Sequence, residues 1–110
     1  MEFREVFPFE RTELERLLNS GNDTAITDAL LSAAYYDADW KWVQAACLRF
    51  LNHPERTVRW TAATCLGHVA RIHRQLDLET VVPRLMELKA DPSIDVEDAI
   101  EDIKFFLRTQ

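Results

Sequence analysis

A chain of 110 residues, 47% hydrophobic and 10% aromatic, is long enough to bury one core and too apolar to remain disordered. Two Gly and four Pro favour long helices over a turn-rich β chain. A formal net charge of −6 at pH 7 argues against nucleic acid as the ligand, because neutralising phosphates takes an excess of Lys and Arg, and it suits a basic protein partner. No apolar run is long enough to span a membrane, and Met1-Glu2-Phe3-Arg4-Glu5 does not open a secretory signal. Cys47 and Cys65 each fall on an apolar helical stripe, so the expectation is a cytoplasmic chain with buried, reduced thiols.

In chain order, residues 1–10 read as an extended arm whose Phe3, Val6, Phe7 and Phe9 cover a helix end. A short helix is predicted over 11–19 with Leu14, Leu17 and Leu18, broken by Asn19-Ser20-Gly21-Asn22-Asp23. The next helix, 24–36, is capped by Asp23 or Thr24 and buries Ile26, Leu30, Ala33 and Ala34. Asp39 is the expected N-cap of a helix over 40–52, with Trp40, Val43, Cys47, Phe50 and Leu51 on one side. A long helix over 55–74 follows, with apolar or small residues at 58, 62, 65, 66, 69 and 70. Helices over 78–90 and 94–108 complete the chain. Pro83 places a strain in the first of these, which either begins near Thr80 or is kinked. The short connections imply antiparallel neighbours.

The pattern repeats. Pro54, Val58 and Ala62 match Pro92, Val96 and Ile100 at a shift of 38, and Trp40, Val43, Cys47 and Phe50 match Leu78, Val81, Leu85 and Leu88 at the same shift. Ile26, Leu30, Ala33 and Ala34 match Val58, Ala62, Cys65 and Leu66 at a shift of 32. Units of this kind bury their faces only by stacking.

His53-Pro54-x-x-x-Val58-Arg59-x-x-Ala62-Ala63-x-x-Leu66-Gly67-x-x-Ala70 resembles the first helix of a HEAT-like repeat. Val82-Pro83-x-Leu85-x-x-Leu88-x-x-Asp91-Pro92 resembles the second helix and the start of the next unit, over residues 23–108 in all. The last unit departs from the pattern, with Glu97 in place of Arg and Lys104 in place of an apolar residue. The resemblance implies an all-α fold, a short right-handed α-solenoid of five to six antiparallel helices. It divides a single domain over 1–110 into an arm and short helix (1–22), a first helix pair (23–53), a second pair (54–91) and a terminal half-repeat (92–110).

Few residues point to chemistry. Cys65, His68 and His73 lack the spacing of a metal site, and no phosphate loop or catalytic motif occurs, so no metal, cofactor or catalytic residue is assigned. The Arg of a HEAT-like first turn commonly pairs with an Asp of the next unit, which makes Asp91 or Asp95 the expected partner of Arg59. The last helix holds Asp91, Asp95, Glu97, Asp98, Glu101 and Asp102 with no basic residue among positions 91–102. Asp98, Glu101, Asp102 and Phe105 are expected to share its outer face, an acidic patch with an aromatic anchor. A solubilising cap at the end of a solenoid would look the same. Trp42 and Trp60 lie off the main stripes, as interface anchors or, favoured for both, as filling of the seam between repeats.

Asp39-Trp40-x-Trp42-Val43-Gln44-x-x-Cys47-Leu48 and the segment from Ala62 to His73 resemble small bacterial HEAT-like proteins, some of which are immunity proteins of polymorphic or contact-dependent toxin systems. That resemblance implies a non-catalytic inhibitor that binds and blocks a basic toxin domain. The competing class is a HEAT-like enzyme or lyase-type accessory that seats a cofactor, for which this chain leaves little groove. A general adaptor scaffold is a third possibility. The partner-binding candidates are Asp95, Asp98, Glu101, Asp102, Phe105 and Trp42.

Overall fold

A computed structural model describes residues 6–107. Six helices account for its regular structure: α1 (Arg11–Leu18), α2 (Asp23–Tyr36), α3 (Trp40–Phe50), α4 (Arg56–His73), α5 (Leu78–Leu88) and α6 (Glu97–Phe106). The fold is all-α, and among the described residues no strand occurs. Asp39 caps α3 as expected, its carboxylate accepting from the Trp42 N–H at 3.2 Å. The cap of α2 is Asn22 rather than Asp23 or Thr24, because the Asn22 side chain reaches the Ala25 N–H at 2.9 Å. Helix α6 starts later than its pattern suggests. Asp91 Oδ1 accepts from the Ser93 N–H, and Asp95 Oδ1 from the Glu97 N–H, each at 2.9 Å, and these local bonds hold the segment in turns.

Helix α5 runs from Leu78, so Pro83 lies inside it, beyond the first turn. Pro83 is exposed, which leaves the carbonyl it cannot serve facing water. Helix α4 ends on Arg74 with φ 57°, a left-handed cap more often taken by Gly.

Side-chain contacts give the helix directions. Asp23 faces His53 just ahead of α4 at 3.7 Å, and Tyr35 near the end of α2 stacks on His68 at 5.0 Å, so α2 and α4 run the same way. Arg59 meets Asp91 at 3.2 Å and Arg74 lies over the Phe106 ring at 4.9 Å, so α6 is parallel to α4. In the second layer Arg11 sits over Trp42 at 3.9 Å and Arg49 reaches Asn19 at 2.8 Å, which aligns α1 with α3. Gln44 accepts from the Asp77 N–H at 2.7 Å and Arg84 donates to the Leu48 carbonyl at 3.2 Å, which aligns α5 with α3. The result is two layers of three parallel helices, α2–α4–α6 and α1–α3–α5, with chain neighbours antiparallel across them.

The core lies between the layers, around α4, which packs against α2, α3 and α6. Leu30, Val43, Cys47, Val58, Leu66, Val69, Val81 and Leu85 are fully buried there. Each fully buried aliphatic side chain contributes about 1.5–3 kcal/mol. Two buried polar side chains tie in the connections: Gln44 through Asp77, and Ser32, whose hydroxyl accepts from the Phe9 N–H at 3.0 Å. In the arm, Phe9 packs on the core while Phe7 is exposed and rests on the Phe9 ring at 4.7 Å; Phe3 lies outside the described residues. Extents of 38 × 31 × 30 Å leave no long axis, since each layer is only three helices wide.

Candidate functional site

The acidic residues around α6 fall into two groups. Asp91, Asp95 and Glu97 are engaged internally. The Asp91 carboxylate is held below its ordinary pKa by the Ser93 hydroxyl and backbone N–H and then by Arg59, which makes Asp91 rather than Asp95 the partner of Arg59. Asp95 is engaged at the start of the helix, and Glu97 pairs with Lys89 at 3.0 Å. Among the described residues the side chains of Asp98, Glu101 and Asp102 have no hydrogen bond or salt bridge, and Asp102 acts on His68 only through its charge. Three unpaired carboxylates within five positions repel one another, and a cationic partner relieves that repulsion.

Asp102 does not share the outward direction of the other two. It is half-buried in the seam with α4, where Gly67 leaves room for it. A Cβ built on Gly67 would lie 3.2 Å from the Ala99 Cα and 3.3 Å from the Asp102 Oδ2. Helix α6 therefore approaches α4 closely because position 67 lacks a side chain. Across the same seam is His68, stacked on Tyr35 and 3.1 Å from the Arg71 guanidinium through Nδ1. Burial lowers the pKa of His68, the Arg71 charge adds to that, and the Asp102 carboxylate opposes it. Tyr35, His68 and Asp102 thus come from α2, α4 and α6 to form a line across one layer.

Exposed large hydrophobics concentrate on the same layer: Tyr35, Tyr36, Trp60, Ile72 and Phe105 belong to α2, α4 and α6, whereas only Met86 is exposed on α5 and Phe7 on the arm. Phe105 is 63% exposed beside the carboxylates and edge-on to Phe106 at 4.8 Å. Trp60 is 45% exposed, at the open end of the seam between α4 and the segment that leads into α6. The small residue Gly67 does admit a close neighbour, but that neighbour is α6, and Trp60 lies farther up α4 beside Ile94 and Asp95. Trp42 is half-buried in the other layer, under Arg11 and in a shallow groove with Glu15, Asn19 and Arg49. Asp98, Glu101 and Phe105 therefore lie exposed on α6, Asp102 sits in the seam beside Gly67 and His68, Asp95 stands at the edge, and Trp42 is separate. Tyr35 and Tyr36 carry no partner-binding signal in the sequence, where they simply end a helix; only the parallel stacking of α2 on α4 brings Tyr35 to His68.

The remaining chemistry is structural. Cys47 and Cys65 are buried free thiols, and the hydrogen bond to Cys47, together with burial, pushes the Cys65 pKa up. Among the described residues no group of three His, Cys, Asp or Glu is placed to hold a metal ion. No described helix is long and apolar enough to cross a membrane.

No protein-family model matches the chain, and no curated protein does. A solved structure does. A chain in the crystal structure of the CDI complex from Cupriavidus taiwanensis LMG 19424 is 34% identical over 99% of this chain and 99% of its own length, with a TM-score of 0.88. Identity at that level across both whole chains, with the same path of the backbone, places the two in one family: the chain described here belongs to the family of that component of the Cupriavidus taiwanensis CDI complex.

Proposed function

We propose that this chain is the immunity protein of a contact-dependent inhibition system, a non-catalytic HEAT-like module of the cytoplasm that binds a basic toxin domain and blocks its active site. The observation that carries the proposal is the end-to-end likeness to a component of a CDI complex. The two layers of parallel helices and the recurring apolar pattern support the HEAT-like reading. The net charge of −6 and the unpaired carboxylates of α6 support a basic partner, because long-range attraction raises the rate of capture.

The binding face in this proposal is Asp98, Glu101, Asp102 and Phe105, extended across the layer by Tyr35. Asp95 contributes at the rim, with one oxygen already engaged, and Trp42 belongs to the opposite layer. Co-expression with the toxin domain of the neighbouring reading frame tests the proposal. Rescue of growth and a stable complex are expected. Reversal of the exposed Asp98 and Glu101 to Lys is expected to weaken binding by about tenfold or more, mainly through the association rate, with the helical content unchanged. A toxin that remains active in the presence of the chain contradicts it.

A further inference from the structure

The flank of α6 turned away from α4 carries a second surface. Between α5 and α6 runs an apolar cleft of about 270 Å³ lined by Val82, Leu85, Met86, Ile100, Ile103 and Lys104. The repeat explains what belongs there. At the shift of 38, Met86 corresponds to Leu48, and Lys104 to Leu66. Leu48 is half-buried, and its carbonyl is bonded by Arg84 of α5, the next helix of its layer. Leu66 is fully buried. On α5 and α6 no described helix takes that next place, so Met86 is 50% exposed and Lys104 is exposed. Among the described residues the Lys104 ammonium has no hydrogen bond or ion pair. An apolar floor with one unpaired cation on its rim specifies an occupant: a helix with apolar residues on one stripe and a carboxylate where it meets Lys104.

We propose that the cleft between α5 and α6 is a docking site for an amphipathic, acid-bearing helix of another protein, which lies along α5 as α5 lies along α3 and so continues the array. This surface is distinct from the carboxylate face on the α4 side of the same helix, and it stands whether or not the partner of that face is a toxin.

The test uses two designed helical peptides with Leu at i, i+3, i+4 and i+7, one carrying Glu and the other Lys at the position opposite Lys104. The full chain is labelled at its methionine methyl groups. The Glu peptide is expected to shift the Met86 methyl resonance and to bind about fivefold or more tightly than the Lys peptide, as an ion pair at a partly exposed rim allows. Lys104→Glu is expected to reverse that preference, and Met86→Glu, at a half-exposed position that leaves the fold intact, to abolish binding of both. The proposal is overturned if neither peptide moves the Met86 methyl, or if the preference for Glu survives in Lys104→Glu. It is also overturned if the Met86 resonance shifts as the protein's own concentration rises while sedimentation reports a dimer, because a second copy then fills the cleft.

Discussion

At Gly67 a missing side chain sets the position of a whole helix. Replacement by Ala would gain about 0.5–1 kcal/mol of helix propensity against a contact at 3.2 Å to the Ala99 backbone, which yields only if α6 moves. Gly67→Leu exceeds any such adjustment. It is expected to cost about 1–3 kcal/mol in urea unfolding and to displace Asp102 from the seam. Arg59 is a second such position. Its guanidinium donates to the carbonyls of His53 and Pro54, each at 2.9 Å, as well as to Asp91. Arg59→Ala is expected to cost about 1–3 kcal/mol by the same measurement. His68 gives the fold a pH dependence. Its pKa is lowered in the folded state, chiefly by burial, so the unfolded chain takes up the proton first as pH falls. Stability is unaffected by this group above the ordinary histidine value of about 6.5 and declines below it until the folded imidazole also protonates. His68→Gln is expected to flatten that part of a stability profile measured from pH 7 down to pH 5. The pairing of Arg59 with Asp91 is legible in the sequence through the repeat, apart from the choice between Asp91 and Asp95. The surroundings of His68 are not, because they depend on the stagger between α2, α4 and α6.

Among the helices, all six were legible from apolar spacing and turn residues, since each buries one stripe and sits between strong breakers. Their ends were less so, because several side chains compete for the same backbone groups. Asn22 takes the cap of α2 because its amide oxygen reaches the Ala25 N–H, and Asn22→Ala is expected to cost about 1 kcal/mol in thermal or urea unfolding. Asp91 and Asp95 delay the start of α6 by the same kind of local bond. Helix α6 also shows where periodicity misleads about a site. The spacing puts Asp98, Glu101, Asp102 and Phe105 on one outer face, yet only Asp98, Glu101 and Phe105 are exposed, while Asp91, Asp95 and Glu97 serve turns and ion pairs. Asp102 turns into the seam because its neighbour across the interface is a glycine, and that pairing lies 35 residues away along the chain.

For the whole molecule, the two layers divide the labour. The α2–α4–α6 layer displays most of the exposed aromatics, and the α1–α3–α5 layer is tied together by Arg49 and Arg84 and joined to α2 by Arg11 through Asp37. A carboxylate already engaged within the chain has less to offer a ligand, which separates Asp98 and Glu101 from Asp91 and Glu97. Trp42 illustrates the difference: a tryptophan off the main stripe looks like an anchor, but Arg11 covers its ring. The rate of association with the toxin domain proposed as partner, measured against ionic strength, is the decisive experiment. Fast capture that slows steeply with salt is expected of the native chain, and about tenfold slower capture with a shallow salt dependence after Asp98 and Glu101 are both reversed to Lys. Capture that is unchanged by the reversal, or no capture at all, would contradict the proposal.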